Sequence, residues 1–394
     1  MNNNILNTVV QDFINNNISI DATTLLFKNY SFEGTTIKEI VEQIESKKRC
    51  KTKLPTWFNT PKIYYPNKLN IEQTSSELTA AYKSKIISGN SLIDLTGGLG
   101  VDCYYFSKSF QEGVHCELNT NLSEIAKHNF NILATENINC VNIDGLVYLK
   151  SLSKTFDWIY IDPSRRNDTK GKVFYLKDCI PNVPANLDAL FKYTDQLLIK
   201  TSPMLDLKVG INELQHVYEI HVVAVNNEVK EVLYLLHKNS HEQIEVKTIN
   251  LTASSKEQCF NFKLEDEQHT TAAIGEVSNY LYVPNAAILK AGAFKIVSAH
   301  FNVNKLHQNS HLYTSKTLVD FPGRSFKVLK IIPYQKRDLK PLLEKRQLNV
   351  ATRNFPDTVA QLKKKFKFKD GGNDYVFFTT TSNNDKVVIF CKKL

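Results

Sequence analysis

Long hydrophobic runs are absent from this 394-residue chain: none approaches the roughly 18 apolar residues a membrane-spanning helix needs, so no membrane partner is expected. The seven cysteines, at 50, 103, 116, 140, 179, 259 and 391, are odd in number and form no C-x-x-C pair. That excludes a disulfide scaffold and a thiolate zinc site, and fits a reducing cytosol. The ten histidines form no H-E-x-x-H motif, so no protein-held metal is expected. Met1-Asn-Asn-Asn-Ile-Leu6 lacks a basic segment leading into an apolar one, so no signal peptide is expected and the location reads as cytoplasmic.

What is present is unevenly distributed. Phe321–Leu394 holds 17 Lys and Arg against 6 Asp and Glu, a net of +11, whereas residues 1–320 hold 32 and 34, a net of −2. A cationic excess confined to one terminal region is the footprint of a polyanion-binding module. A solvated lysine-rich surface is the bland alternative.

The chain exceeds one ordinary domain. Residues 1–70 carry apolar positions at helical spacing, at Val9–Ile14 and Ile37–Ile44, with Pro55, Pro61 and Pro66 reading as a linker. Residues 71–240 alternate short apolar strands with helical stretches, the mark of a parallel α/β sheet. The candidate strands are Ser91–Leu95, Gly113–Glu117, Cys140–Ile143, Trp158–Ile161 and Gln196–Ile199. An antiparallel hairpin follows, His216–Val225 and Val232–His237, where a dinucleotide-binding sheet would continue with parallel units. Residues 241–320 form an intermediate region, and 321–394 a smaller basic α+β unit.

The first strand ends in Asp94 and enters a glycine turn with Gly97, Gly98 and Gly100, where backbone can approach a ligand closely. Cys103 stands where G-x-G-x-x-G requires its third glycine, which disfavours NAD or FAD. Glu117 ends the second strand 23 residues after Asp94, placed to accept ribose hydroxyls. Asp144 and the amide of Gly145 follow the third strand, within reach of an adenine amino group, and Asp162 ends the fourth. Each alone could be a turn or N-cap residue. Together they converge on one sheet edge and predict a nucleoside-type cofactor.

At these residues the chain resembles the class I S-adenosylmethionine (SAM)-dependent methyltransferases. More narrowly, it resembles a bacterial family of RNA methyltransferases with a THUMP-like C-terminal domain. The resemblance rests on Glu72–Ser76, Thr79–Lys83, Asp94–Asp102, Asp162–Arg166, Lys200–Asp206, Pro284–Ala287 and Phe321–Arg324. It implies a Rossmann-like methyltransferase sheet with a helical N-terminal region and a smaller THUMP-like domain. It also implies SAM as cofactor, with Asp94, Gly98 and Gly100 at the methionine end, Glu117 at the ribose, Asp144 at the adenine and Asp162 facing the methyl group. Thr96, Gly97, Leu118 and Gly145 complete the expected cofactor site. Thr96 departs from D-x-G-x-G-x-G by occupying its first glycine position.

The fourth-strand motif Asp162-Pro163-Ser164-Arg165 lacks the aromatic that stacks the target base in amino-methylating enzymes; Phe174 or Tyr175 could serve instead. No cysteine follows the fifth strand, and Cys179 reads as a packed residue, which disfavours covalent C5 methylation. Lys83, Asp162, Lys200 and Glu228 or Glu231 resemble the tetrad of ribose 2′-O-methyltransferases, in which a lysine manages a hydroxyl proton. Pairing of Lys200 with Glu231 at the sheet edge is the alternative. The expected catalytic group is Asp162, Pro163, Arg165 and Lys200. Arg165 and Arg166 suit phosphate contact, or salt bridges with Asp168 or Asp178.

In Gln361–Asp370, lysines 363, 364, 365 and 367 alternate with Phe366 and Phe368; as a strand this would be cationic on one face and aromatic on the other. The aromatics are expected in the core and the lysines on RNA phosphates, with Lys336–Arg337 and Lys345–Arg346 extending the surface. The combined expectation is an RNA methyltransferase (EC 2.1.1.-) acting on rRNA or tRNA. Its rivals are a methyltransferase of small molecules or proteins, and a catalytically silent RNA-binding protein.

Overall fold

The computed structural model describes residues 1–28, 30–165, 175–252 and 257–394, with the backbone alone at Arg165. The chain divides into two compact units, one of Met1–Tyr218 and Leu233–His241, the other of Glu219–Val232 and Glu242–Leu394.

In the first unit, helix Ile37–Lys53 begins at a capping box, in which Thr36 and Glu39 each satisfy the other's backbone amide. Its Ile40, Val41 and Ile44 pack with Val10 and Ile14 of helix Thr8–Asn16. The three prolines do not mark a linker. Pro55 opens helix Pro55–Asn59, a position whose amide needs no partner. Cys50, Leu54, Trp57 and Ile71 then pack with Leu99, Val101, Leu122 and Ile125 around the glycine turn and its flanking helices.

The sheet of this unit contains β1 (Gly89–Asp94), β2 (Phe110–Cys116), β3 (Ile138–Val141) and β4 (Trp158–Ile161). Two-residue strands β5 (Ser164–Arg165) and β6 (Cys179–Ile180) form a separate antiparallel ribbon before β7 (Gln196–Thr201). Strand order β3-β2-β1-β4-β7 is parallel throughout. Burial on both faces explains the near-continuous apolar runs Leu92-Ile93 and Trp158–Ile161. Chain order reverses between β1 and β4, and open α/β sheets bind ligands beside the carboxyl ends of such strands.

The expected hairpin follows as β8 (Val217–Val225) and β9 (Glu228–His237), and β9 lies next to β7. Its turn is tighter than the expected Asn226–Glu231 loop. Asn226 and Asn227 alone form it, at φ 50° and 66°, the left-handed pair that a two-residue turn needs and Asn tolerates.

In the second unit, β10 (Glu245–Leu251) runs parallel to β8 and antiparallel to β11 (Gln258–Lys263). A seven-stranded sheet follows, built of β12 (Tyr280–Pro284), β13 (Asn304–Lys305), β14 (Tyr313–Ser315), β15 (Gly323–Pro333), β16 (Gln347–Arg353), β17 (Lys369–Thr380) and β18 (Lys386–Lys393). Its order is β13-β14-β12-β15-β18-β17-β16, and β12 pairs with β15 across residue 320. Helices Lys336–Leu343 and Val359–Phe366 cover one face through Leu339, Leu343, Leu362 and Phe366. The opposite face buries Phe326, Phe377 and Ile389 with Leu306 and Leu312.

The alternating lysine–phenylalanine segment is therefore not a strand. Thr358 and Gln361 form a capping box, Leu362 and Phe366 share one buried helical face, and Lys367 ends the helix at φ 57°. Phe366 and Phe368 are buried, as expected of the aromatics. Among the described residues no helix is long and apolar enough to cross a membrane.

Candidate active site

Asp94 ends β1 almost fully buried, and its Oδ1 accepts from the Thr96 amide at 2.9 Å and the Thr96 hydroxyl at 3.2 Å. The same hydroxyl accepts from the Asp162 amide at 2.7 Å. Thr96, the departure from the glycine pattern, thus ties the end of β1 to the end of β4. Burial pushes the Asp94 carboxyl up to about 8; the Thr96 amide opposes the rise, and the Asp102 and Asp162 charges add to it. At neutral pH this carboxyl is largely protonated until a cation stands beside it.

The turn is fastened from below. The Gly97 amide donates to the Cys116 carbonyl at 2.8 Å, and the Gly98 amide to Glu117 Oε2 at 2.9 Å. The other Glu117 oxygen accepts from the Asn119 amide at 2.7 Å. Gly97 lies over the ring of buried His115, where a Cβ would come within 2.3 Å of Nε2. A Cβ on Gly98, at φ 56°, would meet only the Thr96 carbonyl oxygen, at an ordinary 3.9 Å. A turn covered on one side and unobstructed at Gly98 is the shape a close-approaching ligand requires. Among the described residues His115 has no hydrogen-bond partner on either ring nitrogen, and burial lowers its pKa to about 4, so it is neutral.

Asp144 N-caps helix Gly145–Ser151, its Oδ1 accepting from the Val147 amide at 3.0 Å. A Cβ on Gly145 would strike the Leu95 carbonyl at 2.4 Å, so the helix after β3 approaches the end of β1 more closely than any side chain allows. Leu118, next to Glu117, and Val147, in the helix that Asp144 caps, are apolar and 70% and 57% exposed.

Asp162 forms an ion pair with Lys200 of β7, whose side chain is 12% exposed. A second, more deeply buried pair lies nearby: Lys83 Nζ stands 3.2 Å from Asp102 Oδ1. Ser75 and the Tyr160 hydroxyl both donate to Asp102 Oδ2, at 2.7 and 2.8 Å. Burial would raise the Asp102 carboxyl, but the Lys83 and Lys200 ammoniums and these two donors hold it below the ordinary value. Asp102, Ser75 and Tyr160 were not among the residues expected here from sequence. The signal present was the Asp that closes Asp94–Asp102 and the serines of Glu72–Ser76.

The structure thus gathers Asp94, Thr96, Gly97, Gly98, Glu117, Asp162 and Lys200, with Asp144 and Gly145 at the next strand end. Gly100, at φ 82°, ends the turn with its amide on the Gly97 carbonyl. Pro163 is buried, Tyr175 half-buried and Cys179 buried. The side chain of Arg165, and Arg166, Asp168 and Phe174 entirely, lie outside the described residues. Glu228 pairs instead with Lys230 at 2.7 Å and is exposed, while Glu231 is buried in the second unit's segment. His237 with His241, and His307 with His311, are spaced four apart, but neither pair shares a helix. Among the described residues no group of three His, Cys, Asp or Glu is arranged to hold a metal.

In the basic region, Lys363 pairs with Asp370, and Lys365 donates to the Tyr334 hydroxyl at 2.7 Å beside Asp357. Lys364 and Lys367 are exposed with no partner among the described residues.

No curated protein matches the chain. Family descriptions of a ferredoxin-like domain and a THUMP domain-like region match residues 280–322 and 323–393. Among solved structures, a "putative methyltransferase" from Porphyromonas gingivalis W83 is 33% identical over 99% of this chain and 98% of its own, with a TM-score of 0.89. Two others are distant. M. capricolum TrmK with S-adenosyl-homocysteine is 13% identical, covering 42% of this chain and 69% of its own, TM-score 0.33. A Streptococcus mutans structure, likewise with S-adenosyl-homocysteine, is 12% identical, covering 41% and 96%, TM-score 0.31. The chain, with its class I methyltransferase sheet and its ferredoxin-like and THUMP domain-like segments, belongs to the same family as the Porphyromonas gingivalis protein.

Proposed function

We propose that this protein is a SAM-dependent methyltransferase acting on a nucleotide of structured RNA, rRNA or tRNA. The observation that carries the reading is the junction at Thr96, which joins a buried Asp94 to the Asp162 strand end beside a glycine turn left unobstructed at Gly98. The residues present fit SAM. Asp94 offers a carboxyl to a cationic methionine end, the Gly98–Gly100 turn offers backbone, Glu117 offers acceptors to ribose hydroxyls, and Asp144 with Gly145 offers polar contacts to adenine between Leu118 and Val147. SAM, when bound, supplies an electrophilic methyl group.

What remains for the protein is to place a nucleophile and receive its proton. The Asp162 carboxylate is 35% exposed and oriented by Lys200, which makes it the acceptor for a proton leaving a hydroxyl or amino nucleophile. Lys83 and Asp102 form a second ion pair, whose carboxylate the Lys200 charge also stabilises. Pro163 stiffens the chain as it leaves β4, and Arg165 and Arg166, which follow it in sequence, are proposed to contact phosphate. The +11 excess of residues 321–394 supplies RNA affinity. Calorimetry on the full chain tests the cofactor: SAM should bind the wild type, and binding that survives Asp94→Ala removes the assignment.

A further inference from the structure

Outside the methyltransferase site, the second unit contains cations that the lysine helix does not explain. They lie on the sheet face opposite the two helices. Phe326 of β15 packs against Phe377 and Tyr375 of β17, each ring pair 5.0 Å between centroids. The Arg324 guanidinium stands 6.0 Å over the Phe326 ring. Phe377 is paired in register with Ala351 of β16, and Arg353 follows two residues on, on the same face. Arg353 is in register with Thr379, whose hydroxyl lies 3.4 Å from that of Ser310. Next to Ser310, the ring of His311 stacks on Phe294 at 3.7 Å between centroids. A bond of 2.9 Å between His307 and Asn354 fastens the same loop to the end of β16.

These groups are poorly satisfied as they stand. Arg353 is partly buried, yet its guanidinium donates to the neighbouring Thr352 carbonyl, at 2.8 Å. Among the described residues neither Arg353 nor Arg324 forms an ion pair. His311 Nδ1 is buried without a partner. Burial and the nearby Arg324 charge lower the Arg353 pKa. Burial, with the Lys305 and Arg353 charges, lowers that of His311 to about 4. Partly desolvated cations without an anion are costly, whereas guanidinium forks match the oxygens of a phosphate.

We propose that Arg324, Arg353 and His311 form an anion site that takes a phosphate group of the RNA substrate, where the ferredoxin-like and THUMP domain-like segments meet. The assignment of the phosphate to RNA rests on the function proposed above. It places an RNA contact on the sheet face, distinct from Lys364 and Lys367 on the helical side.

The full-length protein, labelled at histidine, tests this in two arms. Inorganic phosphate should perturb the His311 imidazole signal saturably and raise its titration midpoint, since an anion stabilises the imidazolium. Arg353→Gln should remove that response, and Arg324→Gln carries the test if the first variant does not fold. In the second arm, each substitution should weaken binding of a structured RNA about tenfold and lower the slope of log affinity against log salt by about one. A His311 signal indifferent to phosphate overturns the site whatever RNA does. RNA affinity unchanged by both arginine substitutions overturns its assignment to RNA. Wild-type protein that binds phosphate at His311 but no RNA overturns the substrate reading, and the RNA assignment falls with it.

Discussion

Asp94→Asn should make the protein more stable as it removes cofactor binding. Asp94 is 1% exposed, and its carboxyl is pushed from an ordinary 3.8 to about 8. A carboxyl raised in the folded state stabilises relative to its ionised form fully below about pH 4, and that contribution is lost as pH rises through 8. At pH 7 the unfolded chain ionises while the folded one resists, a cost of about 4 kcal/mol, accrued at about 1.4 kcal/mol per pH unit. Asn keeps an oxygen for the Thr96 amide and has no proton to lose. The stability difference between variant and wild type should therefore be near its minimum at pH 4 and grow at about that slope toward pH 8. Urea unfolding followed by tryptophan fluorescence reads this cleanly, because the chain's two tryptophans, Trp57 and Trp158, are both buried in the first unit. A difference that stays flat from pH 5 to pH 8 would show Asp94 already ionised in the folded protein and refute the reasoning. A function-bearing carboxyl that lowers stability is an expected trade-off at a ligand site.

Three further outcomes follow from the same geometry. SAM binding should release close to one proton at pH 7 as its cation ionises Asp94, and affinity should rise with pH up to about 8; calorimetry in buffers of differing ionisation enthalpy measures both. Lys83→Met should cost about 3–5 kcal/mol by stranding Asp102, and the double variant with Asp102→Asn should recover part of it in a denaturation cycle. Lys364→Gln and Lys367→Gln should weaken RNA binding more than Lys363→Gln and Lys365→Gln, since only the latter lysines are already paired with protein groups; anisotropy across a salt series separates them.

The parallel sheet and its strand-end acids were legible because their signals are local. Four of the five parallel strands are short apolar runs closed by a carboxylate, and a 23-residue interval from Asp94 to Glu117 is written in one dimension. The network around Asp102 was not, because its partners come from 27 and 58 residues away and only the fold brings Ser75 and Tyr160 together. Thr96 looked like a defect in a glycine pattern until its hydroxyl was seen spanning two strand ends. The Lys365–Lys369 segment misled through periodicity: alternation over five residues resembles a strand, yet Thr358 and Gln361 had already spelled a helix start. Pro55 misled in a related way, since proline breaks a helix in its interior but begins one comfortably. The Arg324–Arg353 cluster was illegible for a third reason, as β15 and β16 are not even neighbours in their sheet.

The central claim, methyl transfer from SAM to RNA, is tested most directly by incubating the full-length protein with methyl-labelled SAM and fractionated extract of cells lacking it. The account predicts label in the RNA fraction, lost with Asp162→Asn while SAM binding persists. Label appearing in protein or small molecules and absent from RNA would contradict it.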